Sequence, residues 1–282
     1  MCVIFFYANS QPNANGYKLI LASNRDEFFA RDTQTAAKWT NVEHVYGGID
    51  LEPGREGGTW LAIGSAHGIF KVGALLNLTG EPKPRNAVGR GMIVADYVRQ
   101  SDVEHNIINY NQRLLGDCTK YSAFNFVSIE IGAVSQPAQI KLLSNVPPTL
   151  MPFEQGQCYG FGNSLPDSPF EKVRHGQEQF EQIVNEHGHS DVATLSAELL
   201  QLLKNKHKFW PDAELKRRAP SWGEGLSALN VHIPEHGYGS RTHSLILVDA
   251  NNRLHFIEET MAGLDPNGEW ERTHIEKQFE NI

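Results

Sequence analysis

Cysteine is scarce in this chain. Cys2, Cys118 and Cys158 are spread widely over 282 residues with no C-x-x-C pair, which speaks against a disulfide or zinc framework and fits a reducing compartment. Long apolar runs are also missing. No stretch of about 18 apolar residues occurs, so no membrane-spanning helix is expected. Val3–Phe6 is too short for a signal-peptide core, has no basic segment before it, and passes into polar NSQPNANG.

Several site motifs are absent too. Neither G-x-G-x-x-G nor G-x-x-x-x-G-K-[ST] follows a strand-like run, which removes Rossmann and P-loop readings. Among 12 histidines there is no H-E-x-x-H, and Pro234 between His232 and His236 rules out a helical metal clamp. No metal ligand set and no cofactor is expected; there is no C-x-x-C-H, and neither Cys118 nor Cys158 precedes proline. Basic residues number 25 against 33 acidic ones, a formal net charge of −8 that argues against a general nucleic-acid binder. LKRRAP (215–220) is the main exception and reads as a solvated helix end. No linker, low-complexity tract or repeat divides the chain, so one domain over 1–282 is expected.

What is present reads as hairpins and paired helices. CVIFFYA and YKLILAS are β-branched and aromatic runs joined by turn-forming NSQPNANG, and GGTWLAIG with GIFKVGALLNL makes a second hairpin. GMIVADYVRQ and EHNIINYNQRLL show helical spacing. SAFNFVSIEIG, QIKLLSNV and CYGFGNS return to strands. Two amphipathic helices follow Pro169, and LSALNVHI, SRTHSLILVD, LHFIEET and EWERTHIEKQF are the closing strands. Grouped hairpins with paired helices predict an α+β class: two mostly antiparallel sheets packed face to face, helices outside. GREGGTW reads as close backbone approach at a strand start rather than phosphate binding, and Trp60 and Phe70 read as core.

The opening MCVIFF carries the chemistry. Methionine is expected to be removed before so small a residue, leaving Cys2 with a free α-amine. An α-amine titrates near about 7.7–8.0 and a thiol near about 8.5, so the amine can take the proton of its own thiol, as in N-terminal nucleophile enzymes. The second strand ends in SNRDEFFAR, beside Cys2 if the hairpin ends meet. On a strand Asn24 and Asp26 share one face and Arg25 and Glu27 the other. Asp26 is placed to orient the amine, and Arg25 to lower the thiol pKa. The alternative is a capped turn with a surface ion pair.

Together MCVIFF, ASNRDEF, GREGGTWLAIG, ALLNL, YGFGNSLPDSPFEKV and YGSRTHSLILVD resemble the NRDE, or transport and Golgi organisation, family. The resemblance implies an N-terminal nucleophile hydrolase-like fold, a four-layer αββα sandwich. It also implies association with secretory traffic, Golgi organisation, lipid metabolism and haem handling, in a cytoplasmic protein reaching Golgi and mitochondrial membranes peripherally. Asn77-Leu78-Thr79 is a formal glycosylation sequon, which such a location would leave unused.

A more distant resemblance is to choloylglycine hydrolases and penicillin V acylases, which begin Met-Cys and carry R-N-x-D. Cys2 matches the nucleophile and Asn24 and Asp26 the N and D, while the motif's arginine falls on Ser23. By the same resemblance Asn77 and Asn163 are candidate oxyanion donors and Arg241 a late arginine near the nucleophile, a charge partner for Asp26 or an anionic ligand. Two functions follow as expectations. One is an amidohydrolase or thioesterase using Cys2 on an acyl-lipid or acyl-coenzyme A. The other is a non-catalytic carrier or trafficking factor that binds acyl-lipid, haem or a protein partner.

Overall fold

The computed structural model describes residues 1–40, 42, 44–132 and 136–279. The opening run forms β1 (Val3–Ala8) and returns as β2 (Tyr17–Phe28), antiparallel, with Val3 opposite Asn24. On one side β1 pairs with β10 (Cys158–Gly162). On the other, β2 pairs with β12 (Tyr238–Asp249), followed by β13 (Arg253–Met261) and β14 (Trp270–Gln278). The short β11 (His232–Ile233) adds to β12.

The second sheet runs in chain order and is antiparallel throughout. Its strands are β3 (Thr33–Lys38), β4 (Val45–Asp50), β5 (Leu61–Ala66), β6 (Ile69–Asn77), β7 (Phe124–Gly132), β8 (Gln139–Asn145) and β9 (Pro148–Phe153). The GSAHG hairpin is closed by His67 and Gly68, at φ 52° and 68°, the two positive values of a type I′ turn.

The sheets bury their facing sides together. Ile4, Phe6, Leu19 and Leu21 meet Leu61, Ile63, Val72 and Val127 in one interior. Val3, Phe5, Ile20 and Ala22 point the other way, beneath α3 (Glu171–His187) and α4 (Val192–Leu203). The outer side of the second sheet is covered by α1 (Gly91–Arg99) and α2 (Ile107–Asp117). The layers are therefore αββα, in an α+β fold. Because β2 is buried on both faces, its apolar segment reads as a continuous run rather than an alternation.

Three strands were not anticipated, and their compositions explain why. β3 is rich in Ala and Thr, β4 carries Gly47-Gly48, and β9 carries Pro148 and Pro152. β3 and β9 are edge strands, where proline is tolerated. LSALNVHI yields a strand only at His232–Ile233. Its Leu226 and Leu229 instead pack in turns under the helices. LKRRAP does end a helix, α5 (Ala213–Arg218), but Arg218 is buried, its Nη1 2.7 Å from Glu81. Among the described residues no helix is long and apolar enough to cross a membrane.

Candidate functional site at the amino terminus

The β1–β2 register, continued one and two residues beyond Val3, sets Cys2 opposite Arg25 and Met1 opposite Asp26. The β1–β10 register likewise sets Cys2 opposite Asn163. Three neighbouring strand ends therefore converge on Cys2. Alternation sends Asp26 to the helix side of the sheet and Arg25 to the inter-sheet side.

On the helix side the Asp26 carboxylate is fully enclosed. Its Oδ2 lies 3.1 Å from the Met1 amine and 3.9 Å from Lys172 Nζ, while Ser240 Oγ donates to Oδ1 at 2.5 Å. Lys172 also donates to Met1 O at 2.9 Å and Ala228 O at 3.0 Å. The Met1 amine donates to Tyr238 Oη at 2.7 Å. Burial pushes the Lys172 ammonium down, partly opposed by Asp26. Burial likewise pushes the Tyr238 phenol well up, and the charge of Asp26 adds to it. Met1 itself is buried, its sulfur accepting from Thr79 Oγ1 at 2.8 Å.

The Cys2 sulfur faces the other way, onto a cleft of about 440 Å³ shared with Arg25, Glu27, Trp60, Asn77 and Arg90. A second cleft of about 290 Å³ adjoins it and adds Met1, Thr79, Asn163 and Tyr238. Asp26 N donates to Cys2 Sγ at 3.4 Å. Burial raises the Cys2 thiol, and Asp26 adds to the rise. The terminal amine, the Asp26 amide and Arg25 oppose it.

Of the expected site residues, Cys2, Asp26, Asn77 and Asn163 converge, and Arg25 and Glu27 line the same cleft. Asn163 Nδ2 donates to Asn77 O at 2.5 Å, so one of its amide hydrogens is committed, and Oδ1 is buried without a partner. Asn24 turns away from both clefts. It donates to Leu203 O and Leu229 O at 2.8 and 2.9 Å and lies 2.7 Å from His243 Nδ1. Arg241 is not a partner of Asp26: Ser240 pairs with Asp26 and Thr242 with Arg25, leaving Arg241 as the extra residue of a bulge. Its guanidinium is aimed at the carbonyls of Phe28 and Arg31. Ser23, in place of the motif's arginine, donates to Val3 O at 2.9 Å.

Lys172, Tyr238 and Ser240 were not singled out by sequence reasoning. Lys172 left a trace, since it stands in the buried stripe with Gly176, Phe180 and Val184, where helical spacing asks for an apolar residue. Trp60, read as core, is half-buried and lines the cleft. GREGGTW does make a close approach. A Cβ on Gly58 would lie 3.0 Å from Gly91 Cα. Away from the site, cross-strand pairing gathers the ligand atoms of His255, His274 and Glu276 within 4.8 Å, a group that no local spacing reveals.

The family model described as Transport and Golgi organisation 2 matches residues 1–263. The chain belongs to that family. Its relatives include Transport and Golgi organization protein 2 of Drosophila melanogaster, 76% identical over 281 residues, covering 100% of this chain and 99% of that protein. The Homo sapiens homolog in this Transport and Golgi organization family is 32% identical over 270 residues, covering 94% and 95%. A solved structure of Anbu from Hyphomicrobium sp. strain MC1 superposes with a TM-score of 0.37 at 10% identity, covering 88% of this chain and 82% of that one.

Proposed function

We propose that this family member is an N-terminal cysteine hydrolase of an acyl amide or thioester, serving lipid homeostasis linked to secretory traffic. It would act as one domain from the cytoplasmic side of Golgi and mitochondrial membranes. The supporting observation is the division of labour across one sheet: Asp26 grips the terminal amine on one side while the Cys2 sulfur faces a cleft on the other. Once Met1 is removed, the amine belongs to Cys2 and takes the thiol proton. Sulfur then adds to the acyl carbon, and the carbonyl electrons move to oxygen beside Asn77. Collapse expels an amine or thiol, which receives the proton from the ammonium. Water then cleaves the enzyme thioester, releasing a carboxylic acid and restoring the thiol. A well-placed oxyanion donor is worth about 10²–10³ in rate.

Two observations favour the non-catalytic reading. Asn163 has already committed an amide hydrogen to Asn77 O, and Ser23 holds β1 instead of supplying charge. A carrier of acyl-lipid or haem would need the clefts but not the thiol. The two readings separate in one assay: Met1-free protein against N-acyl and thioester substrates, beside Cys2→Ala. Turnover lost in Cys2→Ala, with a trapped acyl group on Cys2 by mass, supports the hydrolase. Binding without turnover in either protein supports the carrier.

A further inference from the structure

Five cations line the Cys2 cleft: Arg25, Arg31, Arg55, Lys83 and Arg90. Among the described residues only Arg31 is neutralised by close pairs. Its Nη2 lies 2.6 Å from Asp50, and its Nη1 3.3 Å from Glu27. Those are two of the four acids on the cleft wall, and neither of the others compensates the remaining cations. Asp26 is engaged with the terminal amine on the opposite face. The Glu56 carboxyl is turned back on its own loop, held below its ordinary range by backbone amides there.

Two of the unneutralised guanidinium groups, those of Arg25 and Arg90, are held in place by burial and anchoring, while Arg55 is exposed. Arg25 is only 6% exposed, its Cζ lies over the Trp60 ring 4.3 Å from the centroid, and its Nη1 is buried with no hydrogen-bond partner. A buried guanidinium with an idle N–H is costly unless something meets it. Arg90 is anchored through Nη1 to Ala123 O at 2.7 Å. Arg55 lies across Gly89, where a Cβ would come within 2.5 Å of its Nη1, so the missing side chain makes the room. The crowding is mutual: burial first, then Arg55 and Arg31, push Arg90 down to about 10.

We propose that Arg25, Arg55 and Arg90 form an anion subsite beside Cys2, holding a carboxylate or phosphate carried by the molecule whose acyl carbon meets the thiol. This rests on the reading of Cys2 as the reacting group, but binding itself needs no reaction. Trp60 and Leu75, on the same wall, supply apolar area for the part of the ligand next to the charge. Guanidinium forks suit both anions, since each offers two oxygens to paired N–H groups.

The test is calorimetric titration of the full-length Cys2→Ala protein, so that no turnover enters, with 1-naphthyl phosphate, 2-naphthoate and neutral 2-naphthol. The expected result is saturable binding of an anionic probe, weakened by salt and at least about tenfold weaker in Arg55→Gln and Arg90→Gln, with 2-naphthol indifferent to both substitutions. Arg25→Gln is left aside because its burial endangers folding. Preference for the phosphate identifies a phosphate-bearing ligand, and preference for 2-naphthoate a carboxylate-bearing one. Equal binding of 2-naphthol, anion binding unchanged by both substitutions, or no anion binding overturns the subsite. Failure of hydrolysis with intact anion binding would count against the catalytic reading alone.

Discussion

Asp26 holds the chain's own amino terminus: its Oδ2 lies 3.1 Å from the Met1 nitrogen, with both residues shut away from solvent. Beside them Lys172 donates to Met1 O and approaches the same carboxylate oxygen. One acid thus faces two cations, in a pocket roofed by α3. The pocket fixes where the first residue of the chain must lie, and that fixes which way Cys2 can face.

Asp26→Asn should therefore be severe. Among the described residues it removes the one acid within 4 Å of two buried cations, the chain's amino terminus (Met1's, where Met1 is kept) and the Lys172 ammonium, and breaking a buried pair from one side costs about 3–5 kcal/mol. Ser240→Ala removes a charge-assisted hydrogen bond to Asp26, worth about 1.5–3 kcal/mol, and also strips the buried Val231 N–H of its acceptor, at about 1–3 kcal/mol more. Urea midpoints at constant slope measure both. An Asp26→Asn loss below about 1 kcal/mol would mean that the amine does not depend on this acid.

His243 sets an acid limb. Asn24 spends its amide hydrogens on Leu203 O and Leu229 O, so its Oδ1 must accept from His243 Nδ1–H, and the ring stacks 4.9 Å from Trp270. Burial, then Lys204, push His243 from 6.5 down to about 3. Above about 6.5 both folded and unfolded chains are neutral here, and the stabilisation is whole. As pH falls from there toward 3 the unfolded chain takes the proton and the folded one does not, so stability falls by about 1.4 kcal/mol per pH unit. His243→Gln should flatten that part of the stability curve while leaving the other titrating groups in place. An unchanged slope would contradict the buried neutral imidazole.

Gly58→Ala tests the cleft rim. Its Cβ would come within 3.0 Å of Gly91 Cα and 3.2 Å of Arg55 O, backbone atoms on both sides. Forced overpacking of this kind costs about 1–3 kcal/mol. The lower melting temperature should be accompanied by a changed Trp60 emission, since Trp60 follows two residues later on the cleft wall. A melting temperature equal to the parent protein's would show that the two segments part freely.

The layers were legible because apolar periodicity and turn residues mark hairpins and paired helices directly. Cys2, Asp26, Asn77 and Asn163 were legible as motif residues; two continued strand registers bring Cys2, Asp26 and Asn163 together, and Asn77 meets them across the cleft from the end of β6 in the other sheet. Arg241 was picked out by its motif too, but the direction of its side chain was not legible, because a bulge inserts one residue without any compositional mark and redirects it. Lys172, Tyr238 and Ser240 act through tertiary contacts 146, 212 and 214 positions from Asp26 in sequence, which no local pattern encodes. The cation wall escaped for the same reason: Arg25, Arg55 and Arg90 sit in three separate segments of a chain whose net charge is −8.

The most direct test of the central claim is the state of the first two residues. Intact mass of protein from its native host, followed by limited iodoacetamide labelling and peptide mapping, reads both Met1 and the three thiols. Met1 should be absent and Cys2 should alkylate first, ahead of Cys118, which is buried, and Cys158, whose thiol burial pushes up to about 12. A chain that keeps Met1, or one in which Cys118 or Cys158 reacts before Cys2, would contradict the nucleophile.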